Sequence, residues 1–184
     1  MDKPREYYKN TYHHLFNRGA NKNVIFFDRE SYLYFLKRLK HYKEMYKIDI
    51  LSYCLMPNHF HFFVKQQTED LLISDFISAL LNSYVKSINK KFKRSGTLFQ
   101  SKTKSKTITD EHYFTWIIKY ILENPVKAKL VNDIASWEFS NAKDLLKIRK
   151  GTLTNINEVK SFFQSEEQMI KFLTDSKIKV DYEF

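Results

Sequence analysis

Two apolar segments on either side of a Pro-Asn step place the strongest constraint on how this chain folds. The segment IDILSYCLM precedes Pro57-Asn58, and HFFVK follows shortly after it. Proline next to a small polar residue marks a turn, and short runs rich in β-branched and aromatic residues mark strands. We therefore predict a β-hairpin over residues 48–65. Side chains alternate between the two faces of a strand, so each strand of this hairpin must present two different surfaces.

The segments around the hairpin alternate between strand and helix patterns. An aromatic-rich run at residues 12–17 predicts a first strand, and residues 98–108 are weakly strand-like. Apolar residues recur with helical spacing after Ser31, which resembles a helix N-cap, and again in residues 70–92. This order favours a ferredoxin-like α+β fold, in which an antiparallel sheet carries helices on one face.

A third helix is predicted over residues 110–123. Proline disfavours helical geometry in the residue before it, so Pro125 should stop or bend this helix at Asn124. A separate short helix should then cover residues 125–131.

The C-terminal region predicts a small helical appendage. Residues 158–163 and 167–173 have short helical patterns after a break at Gly151. We accordingly divide the chain into a main domain at residues 1–145 and a helical extension at residues 146–184.

Charge and composition narrow the class of protein. The chain has 184 residues and a formal net charge of +10, which favours a polyanionic partner such as nucleic acid, although many basic surfaces are only solvated. The single cysteine, Cys54, excludes an intrachain disulfide framework. No stretch approaches the apolar length of a membrane span. We expect a soluble, cytoplasmic protein without a membrane partner.

The histidines of the segment PNHFHFFV are the strongest candidates for chemistry. In a strand, His59 and His61 project to one face, while Phe60 and Phe62 project to the other. Neighbouring imidazoles can hold Zn, Mn, Fe, Co or Ni, whereas Mg prefers oxygen ligands. Spacing alone favours a simpler alternative, in which two unrelated histidines lie on a solvent-facing strand.

The wider pattern around these histidines resembles a known family. The string YCLMPNHFHFFV at residues 53–64 resembles the His-hydrophobic-His signature of the single-tyrosine transposases of the IS200 and REP-associated type, in the HUH endonuclease superfamily. Further segments along the chain are also similar and occur in the family's order. They are HHLFNRG at residues 13–19, GTLFQ at residues 96–100, YILENPVKAKLV at residues 120–131, the aromatic-serine ending at residues 137–140 and the appendage at residues 153–173.

The resemblance implies an activity for the main domain. In this family a tyrosine, here Tyr120, attacks a DNA phosphodiester and forms a 5′-phosphotyrosine link, so no nucleotide cofactor is needed. His59 and His61 would hold a divalent metal, Mg²⁺ or Mn²⁺, with Asn124 as a third, polar ligand. The expected substrate is single-stranded DNA next to a hairpin, and the expected reaction is strand cleavage and rejoining.

Several residues have alternative interpretations. Tyr113 lies on roughly the same helical face as Tyr120, and Asn124 suits the N-cap of a following helix as well as a metal ligand. Asn58 either orients a histidine or shapes the turn, and the turn role is the simpler interpretation. His13 and His14 must face opposite sides of the first strand. One of them could approach the site, but ordinary packing or solvation is the simpler expectation.

Basic residues of the segments that resemble the family are candidates for DNA contacts. Where family members often have arginine after the Phe-Gln step, this chain has lysines, which bind phosphate as point charges. The candidates are Arg18, Lys86, Lys90, Lys91, Lys93, Arg94, Lys102, Lys104 and Lys106. A homodimer is possible. Two rival functions are a catalytically silent protein that binds DNA hairpins and a metal-dependent nuclease that uses water.

Overall fold

The computed structural model describes residues 7–178, which form a four-stranded sheet and six α-helices. The strands are β1 (Tyr12–Arg18), β2 (Ile48–Met56), β3 (His59–Gln66) and β4 (Lys104–Ile108). The helices are α1 (Arg29–Met45), α2 (Ile73–Lys91), α3 (His112–Lys127), α4 (Ala142–Leu145), α5 (Ile156–Ser161) and α6 (Glu166–Thr174), with 3-10 turns at Ala20–Lys22 and Ile134–Ser136. No helix within this range combines the length and apolar character needed to cross a bilayer.

The sheet is antiparallel and has the order β2-β3-β1-β4. The predicted hairpin is confirmed, because β2 and β3 pair directly across the turn at Pro57-Asn58. Strand β1 lies beside β3, with Phe16 opposite His61 and Arg18 opposite His59. The α+β class is therefore confirmed, and the end of β3 that carries the histidines lies in the middle of the sheet.

The helices cover both faces of the sheet, so the expectation of helices on one face was wrong in this respect. Helices α1 and α2 pack on the face formed by Phe60 and Phe62, whereas α3 and the later helices pack on the face formed by Leu51 and Phe63. The reason is that β2 and β3 are buried along nearly their whole length, and apolar side chains on both faces need cover.

Helix α1 begins earlier than the sequence suggested. Its N-cap is Asp28, whose carboxylate accepts a hydrogen bond from the backbone nitrogen of Ser31 at 2.7 Å. The Ser31 hydroxyl lies 3.1 Å from the Asp28 backbone nitrogen and accepts in return. Ser31 is thus the third helical residue of a capping box and not the cap.

Helix α3 runs through Pro125, so the predicted break at Asn124 and the separate helix at residues 125–131 were wrong. Proline cannot donate a hydrogen bond to the carbonyl of Ile121. The side-chain nitrogen of Asn124 lies 2.8 Å from the Tyr120 carbonyl and 3.4 Å from the Ile121 carbonyl. This amide supplies donors at the turn that proline weakens, and the helix continues to Lys127.

The C-terminal helices dock on the sheet and on α3. Val159, Met169 and Leu173 lie in the same apolar core as α3. Glu158 accepts hydrogen bonds from the Tyr12 hydroxyl and from Lys65, each at 2.6 Å. The helical appendage therefore shares a core with the sheet, and the division at residues 145 and 146 stays a prediction.

A buried lysine joins α6 to α3. The ammonium group of Lys119 lies 2.9 Å from the carboxylate of Glu123 and donates to the backbone carbonyls of Phe172, Leu173 and Asp175 at 2.9–3.2 Å. Its side chain is only 1% exposed. A cation at the carboxyl end of α6 satisfies carbonyls that have no partner within the helix.

Replacing Lys119 by Met should lower the free energy of unfolding by about 3–5 kcal/mol, because the variant leaves the largely buried Glu123 carboxylate and several carbonyls without the Lys119 donor. Urea denaturation measures the loss. The matched control is Lys127→Met, which removes an exposed lysine 3.6 Å from the same Glu123 and should cost about 0–1 kcal/mol. Equal losses in the two variants would contradict a clamp between α3 and α6.

Candidate active site

A cleft of about 280 Å³ lies where β1 ends and β3 begins, next to α3 and the loop before β4. Strands β1 and β3 supply its base, and α3 supplies one wall. Its lining residues are Phe16, Asn17, Arg18, His59, Phe60, His61, Gln100, Ser101, Lys104, Tyr120 and Asn124. This set contains no carboxylate and includes one arginine and one lysine, so the cleft has a positive field suited to an anion.

His59 and His61 lie together in this cleft. Their ring centroids are 5.2 Å apart and their planes are nearly perpendicular. Nδ1 of His59 lies 2.6 Å from Oδ1 of Asn58, whose Nδ2 donates to the Lys22 carbonyl. Because this amide oxygen can only accept, His59 carries its proton on Nδ1. Its Nε2 is therefore the ring nitrogen that remains for a ligand.

A histidine of the neighbouring strand β1 contacts His61. Its Nδ1 lies 3.0 Å from Nε2 of His14, and the two ring planes are within 11° of each other. Both imidazoles are buried, with His61 6% exposed and His14 0% exposed. As in His59, Nε2 is the ring nitrogen that takes no part in this contact.

Burial keeps these imidazoles neutral near pH 7. Desolvation lowers the pKa of His59 to about 4, with the charge of Arg18 adding to the effect and a hydrogen bond with Asn124 opposing it. Desolvation also lowers the pKa of His61 well below its ordinary value, and the neighbouring His14 and His59 lower it further. Neutral imidazole is the form that binds metal ions, so no proton has to be removed first.

Tyr120 lies against both buried histidines. Its ring centroid is 5.6 Å from that of His61 and 6.0 Å from that of His14, edge to face in each case. Burial raises the pKa of Tyr120, and a hydrogen bond with Asn124 partly opposes this rise. Of the alternatives, Tyr113 is 49% exposed, and Tyr84 is buried with its hydroxyl donating to a backbone carbonyl. Only Tyr120 among these three lines the cleft.

Asn124 lies one turn after Tyr120 on α3 and also lines the cleft. It lies within a continuous helix, so its alternative role as an N-cap is excluded. Its Nδ2 donates to the Tyr120 carbonyl, so its Oδ1 remains as an acceptor in the cleft that also contains the ring of His59. The predicted nucleophile and all three predicted ligands therefore meet in one cleft. Residues 7–178 contain no group of three His, Cys, Asp or Glu side chains arranged to hold a metal ion, so any site here depends on the amide.

Comparison with known protein families shows which family this chain belongs to. The family model described as "Transposase IS200 like" matches residues 6–124, which is more than half of the chain. This chain belongs to the IS200-like transposase family. The match ends at Asn124 and so includes the histidine pair, Tyr120 and the amide.

One solved structure resembles this family member in fold, and a second match is weaker. A REP-associated tyrosine transposase bound to a REP hairpin has a TM-score of 0.69 and 18% identity over 85% of this chain and 89% of that chain. A putative transposase from Deinococcus radiodurans R1 has a TM-score of 0.46 and 20% identity over 66% of this chain and 95% of that chain. A comparison with curated proteins gave no significant match.

A second, larger cleft continues from the first in this transposase. It has a volume of about 950 Å³ and lies between α2 and the loop before β4. Asn17 and Ser101 line both clefts, and Asn17 donates to the Ser101 carbonyl at 3.0 Å, so this contact forms the boundary. Lys86 and Lys102 line the second cleft.

The predicted DNA-binding residues separate into four groups. Arg18 and Lys104 line the first cleft, and Lys86 and Lys102 line the second. Two others already interact within the protein: Lys91 pairs with Asp28 and Glu30, and Arg94 lies over the ring of Phe27. The remaining residues, Lys90, Lys93 and Lys106, are exposed and line neither cleft.

Sequence reasoning underestimated two residues of the site. Asn58 was interpreted mainly as a turn residue, yet it orients His59 by a direct hydrogen bond. His14 was expected to be ordinary packing, yet it contacts His61. Alternation along β1 indicated that only one of His13 and His14 could reach this face, but the pattern alone could not decide which.

Acid should destabilise the metal-free protein between about pH 6.5 and pH 4. Burial lowers the pKa of His13 from 6.5 in the unfolded chain to about 4 in the folded one. Over this range the unfolded state binds a proton that the folded state does not, so stability is lost as the pH falls, by roughly 3 kcal/mol for this residue. His14 and His59, whose pKa values are about 3 and about 4, act in the same direction.

Urea denaturation at several pH values between 7 and 4 measures this effect. The variant His13→Gln should show a shallower dependence of unfolding free energy on pH, whatever its stability at pH 7. The control is Leu130→Ala, which changes an exposed side chain without a titratable group and should leave the slope unaltered. A wild-type slope in His13→Gln would contradict the assignment.

Proposed function

We propose that this protein cleaves and rejoins single-stranded DNA through a covalent link to Tyr120, with a divalent metal held by His59, His61 and Asn124. The observation that carries this proposal is the contact of the Tyr120 ring with His61 in a basic cleft that also contains Asn124 and His59. A nucleophile, candidate metal ligands and cationic side chains together suit phosphoryl transfer.

The reaction conserves the phosphoester bond. The Tyr120 hydroxyl oxygen attacks phosphorus, the bond from phosphorus to the 3′ oxygen breaks, and that oxygen leaves as a 3′-hydroxyl after taking up a proton. The DNA is then joined to the enzyme through a 5′-phosphotyrosine, and attack by a 3′-hydroxyl reverses the step and rejoins a strand. The energy of the ester stays in the covalent link, so no nucleotide is consumed.

The charges of the cleft favour this reaction. Burial raises the pKa of Tyr120, so the phenol needs help to lose its proton. Arg18 and Lys104 line the same cleft and stabilise negative charge on a phenolate and on the phosphoryl oxygens in the transition state. The lining side chains include no carboxylate that would oppose an incoming phosphate.

The residues of the cleft fit a divalent cation. His59 has its proton on Nδ1, so its Nε2 offers a lone pair, and the side-chain oxygen of Asn124, which lines the same cleft, can only accept. Two such acceptors would hold a divalent cation without first losing a proton. When bound, such an ion acts as a Lewis acid that polarises a phosphoryl oxygen. A site with two imidazoles should bind Mn²⁺ more tightly than Mg²⁺, because Mg²⁺ prefers oxygen ligands.

The substrate is a single strand that continues from a hairpin. Arg18 and Lys104 contact the phosphate at the reaction centre, and the strand continues into the second cleft, where Lys86 and Lys102 contact further phosphates. Support for hairpin recognition comes from the similarly folded transposase that was solved with a REP hairpin.

The tyrosine serves the cleft of its own chain. In a single chain, α3 packs on β2 and β3 and brings Tyr120 to His61. The Lys119 contacts with α6 hold this helix in place. A homodimer therefore adds no residue that this reaction requires.

The variant Tyr120→Phe should bind a stem-loop oligonucleotide with wild-type affinity but form no covalent product. The change removes the attacking oxygen and keeps the ring that packs against His61. An oligonucleotide labelled at its 3′ end, on the strand that stays joined to the enzyme, is incubated with Mn²⁺ and analysed on a denaturing protein gel to detect the adduct. Tyr113→Phe is the matched control on the same helix and should form the adduct normally.

The same assay separates the rival functions. A protein that only binds hairpins forms no nicked product in the wild type, whereas a nuclease that uses water nicks DNA without a protein-linked product. An undiminished adduct in Tyr120→Phe would show that another residue is the nucleophile.

The second cleft can be tested by the salt dependence of DNA binding. Each lysine that neutralises a phosphate of single-stranded DNA contributes about −0.7 to the slope of log affinity against log salt. The double variant Lys86→Ala and Lys102→Ala should therefore make the slope shallower by up to about 1.4. Lys91→Ala is the control, since this lysine already pairs with Asp28 and Glu30. An unchanged slope in the double variant would exclude this path for the strand.

A further inference from the structure

In the hydrogen bond between His14 and His61, either ring can be the donor. The choice decides whether Nε2 of His61 has a proton or a lone pair. If Nε2 of His14 donates, the proton of neutral His61 lies on Nε2, and its lone pair points away from the cleft. If Nδ1 of His61 donates, the lone pair of Nε2 remains for a ligand. The 3.0 Å distance between the nitrogens is compatible with both directions.

We infer that His14 is a positioning residue, which accepts a hydrogen bond from Nδ1 of His61 and so fixes the tautomer of His61 whose Nε2 lone pair lies in the cleft. The ligand role of His61 rests on the proposed function. The assignment of the tautomer, in contrast, concerns the metal-free protein and can be tested without a metal.

The electrostatic field of the cleft favours this direction. A neutral imidazole has a dipole, with its negative end at the nitrogen that has the lone pair. Arg18 and Lys104 line the cleft, and none of its lining residues is acidic. A positive field attracts the lone pair and repels an N–H bond, so Nε2 of His61 is favoured as the unprotonated nitrogen.

The strand pairing makes the contact rigid. His14 lies opposite Phe63 and Phe16 lies opposite His61, so His14 and His61 are diagonal neighbours on one face of two paired strands. The His14 ring also stacks on Phe16, with centroids 4.9 Å apart. Full burial and nearly parallel ring planes fix the direction of the His14 nitrogen, as a partner of a metal ligand requires.

His59 provides a parallel within the same cleft. Its Nδ1 donates to Asn58, for which the direction of the bond is determined by the amide. Under our inference both candidate ligands have the proton on Nδ1 and the lone pair on Nε2. His14 itself then has its proton on Nδ1, because its Nε2 is the acceptor.

The tautomers can be observed directly by long-range proton–nitrogen NMR of ¹⁵N-histidine-labelled, metal-free protein. We expect His14 and His61 both to have the proton on Nδ1. A proton on Nε2 of His61 in the wild type would overturn the inference, whether or not the protein binds metal.

Metal affinity tests the consequence for the site. Titration of the DNA-free protein with Mn²⁺, followed by electron paramagnetic resonance, should show about 10–100-fold weaker binding in His14→Leu, which keeps an apolar side chain but removes the acceptor. His14→Gln places an amide oxygen near the position of Nε2 and should restore the affinity to within about threefold. His13→Gln changes the neighbouring residue on the other face of β1 and should bind Mn²⁺ as the wild type does.

The outcomes distinguish the inference from the proposed function. Loss of Mn²⁺ binding in His59→Ala supports the metal site itself, and a wild type that binds no Mn²⁺ contradicts that site while the NMR result still decides the tautomer. Wild-type affinity in His14→Leu would overturn the positioning role. Should His14→Leu fail to fold, the wild-type spectrum and His14→Gln decide the question.

Discussion

The alternation of side chains along β3 is the constraint on which the rest of the molecule depends. Phe60 and Phe62 fill the core under α1 and α2, so His59 and His61 must point to the opposite face. A shift of the register by one residue would place two phenylalanines in the cleft and two imidazoles in the apolar core under α1 and α2. The energy of the core therefore fixes the position of the candidate ligands.

The cleft combines burial with positive charge. Burial keeps the imidazoles neutral, and cationic side chains at the rim provide the field that an anionic substrate needs. Each of the two histidines has a partner at Nδ1, either the amide of Asn58 or the ring of His14. These partners set the direction of the lone pairs, so the geometry of the site depends on residues that would never touch the metal or the DNA.

The reaction centre also depends on the far end of the chain. Tyr120 and Asn124 reach the cleft from α3, and the neighbouring residue Lys119 binds the carboxyl end of α6. The extension thus helps to hold the candidate nucleophile in place, although it lies beyond the region that the family model matches. A substitution in α6 can therefore alter the position of Tyr120 without contacting DNA.

The sequence by itself determined the hairpin, the shared face of His59 and His61, and the single helical turn between Tyr120 and Asn124, because these follow from local periodicity. It did not determine that helices cover both faces, that α3 continues through Pro125, or which of the two β1 histidines meets His61. These features depend on contacts between segments far apart in the chain. Only the register of paired strands and the packing of helices on the sheet decide them, since the free energy of burial is shared by the whole core.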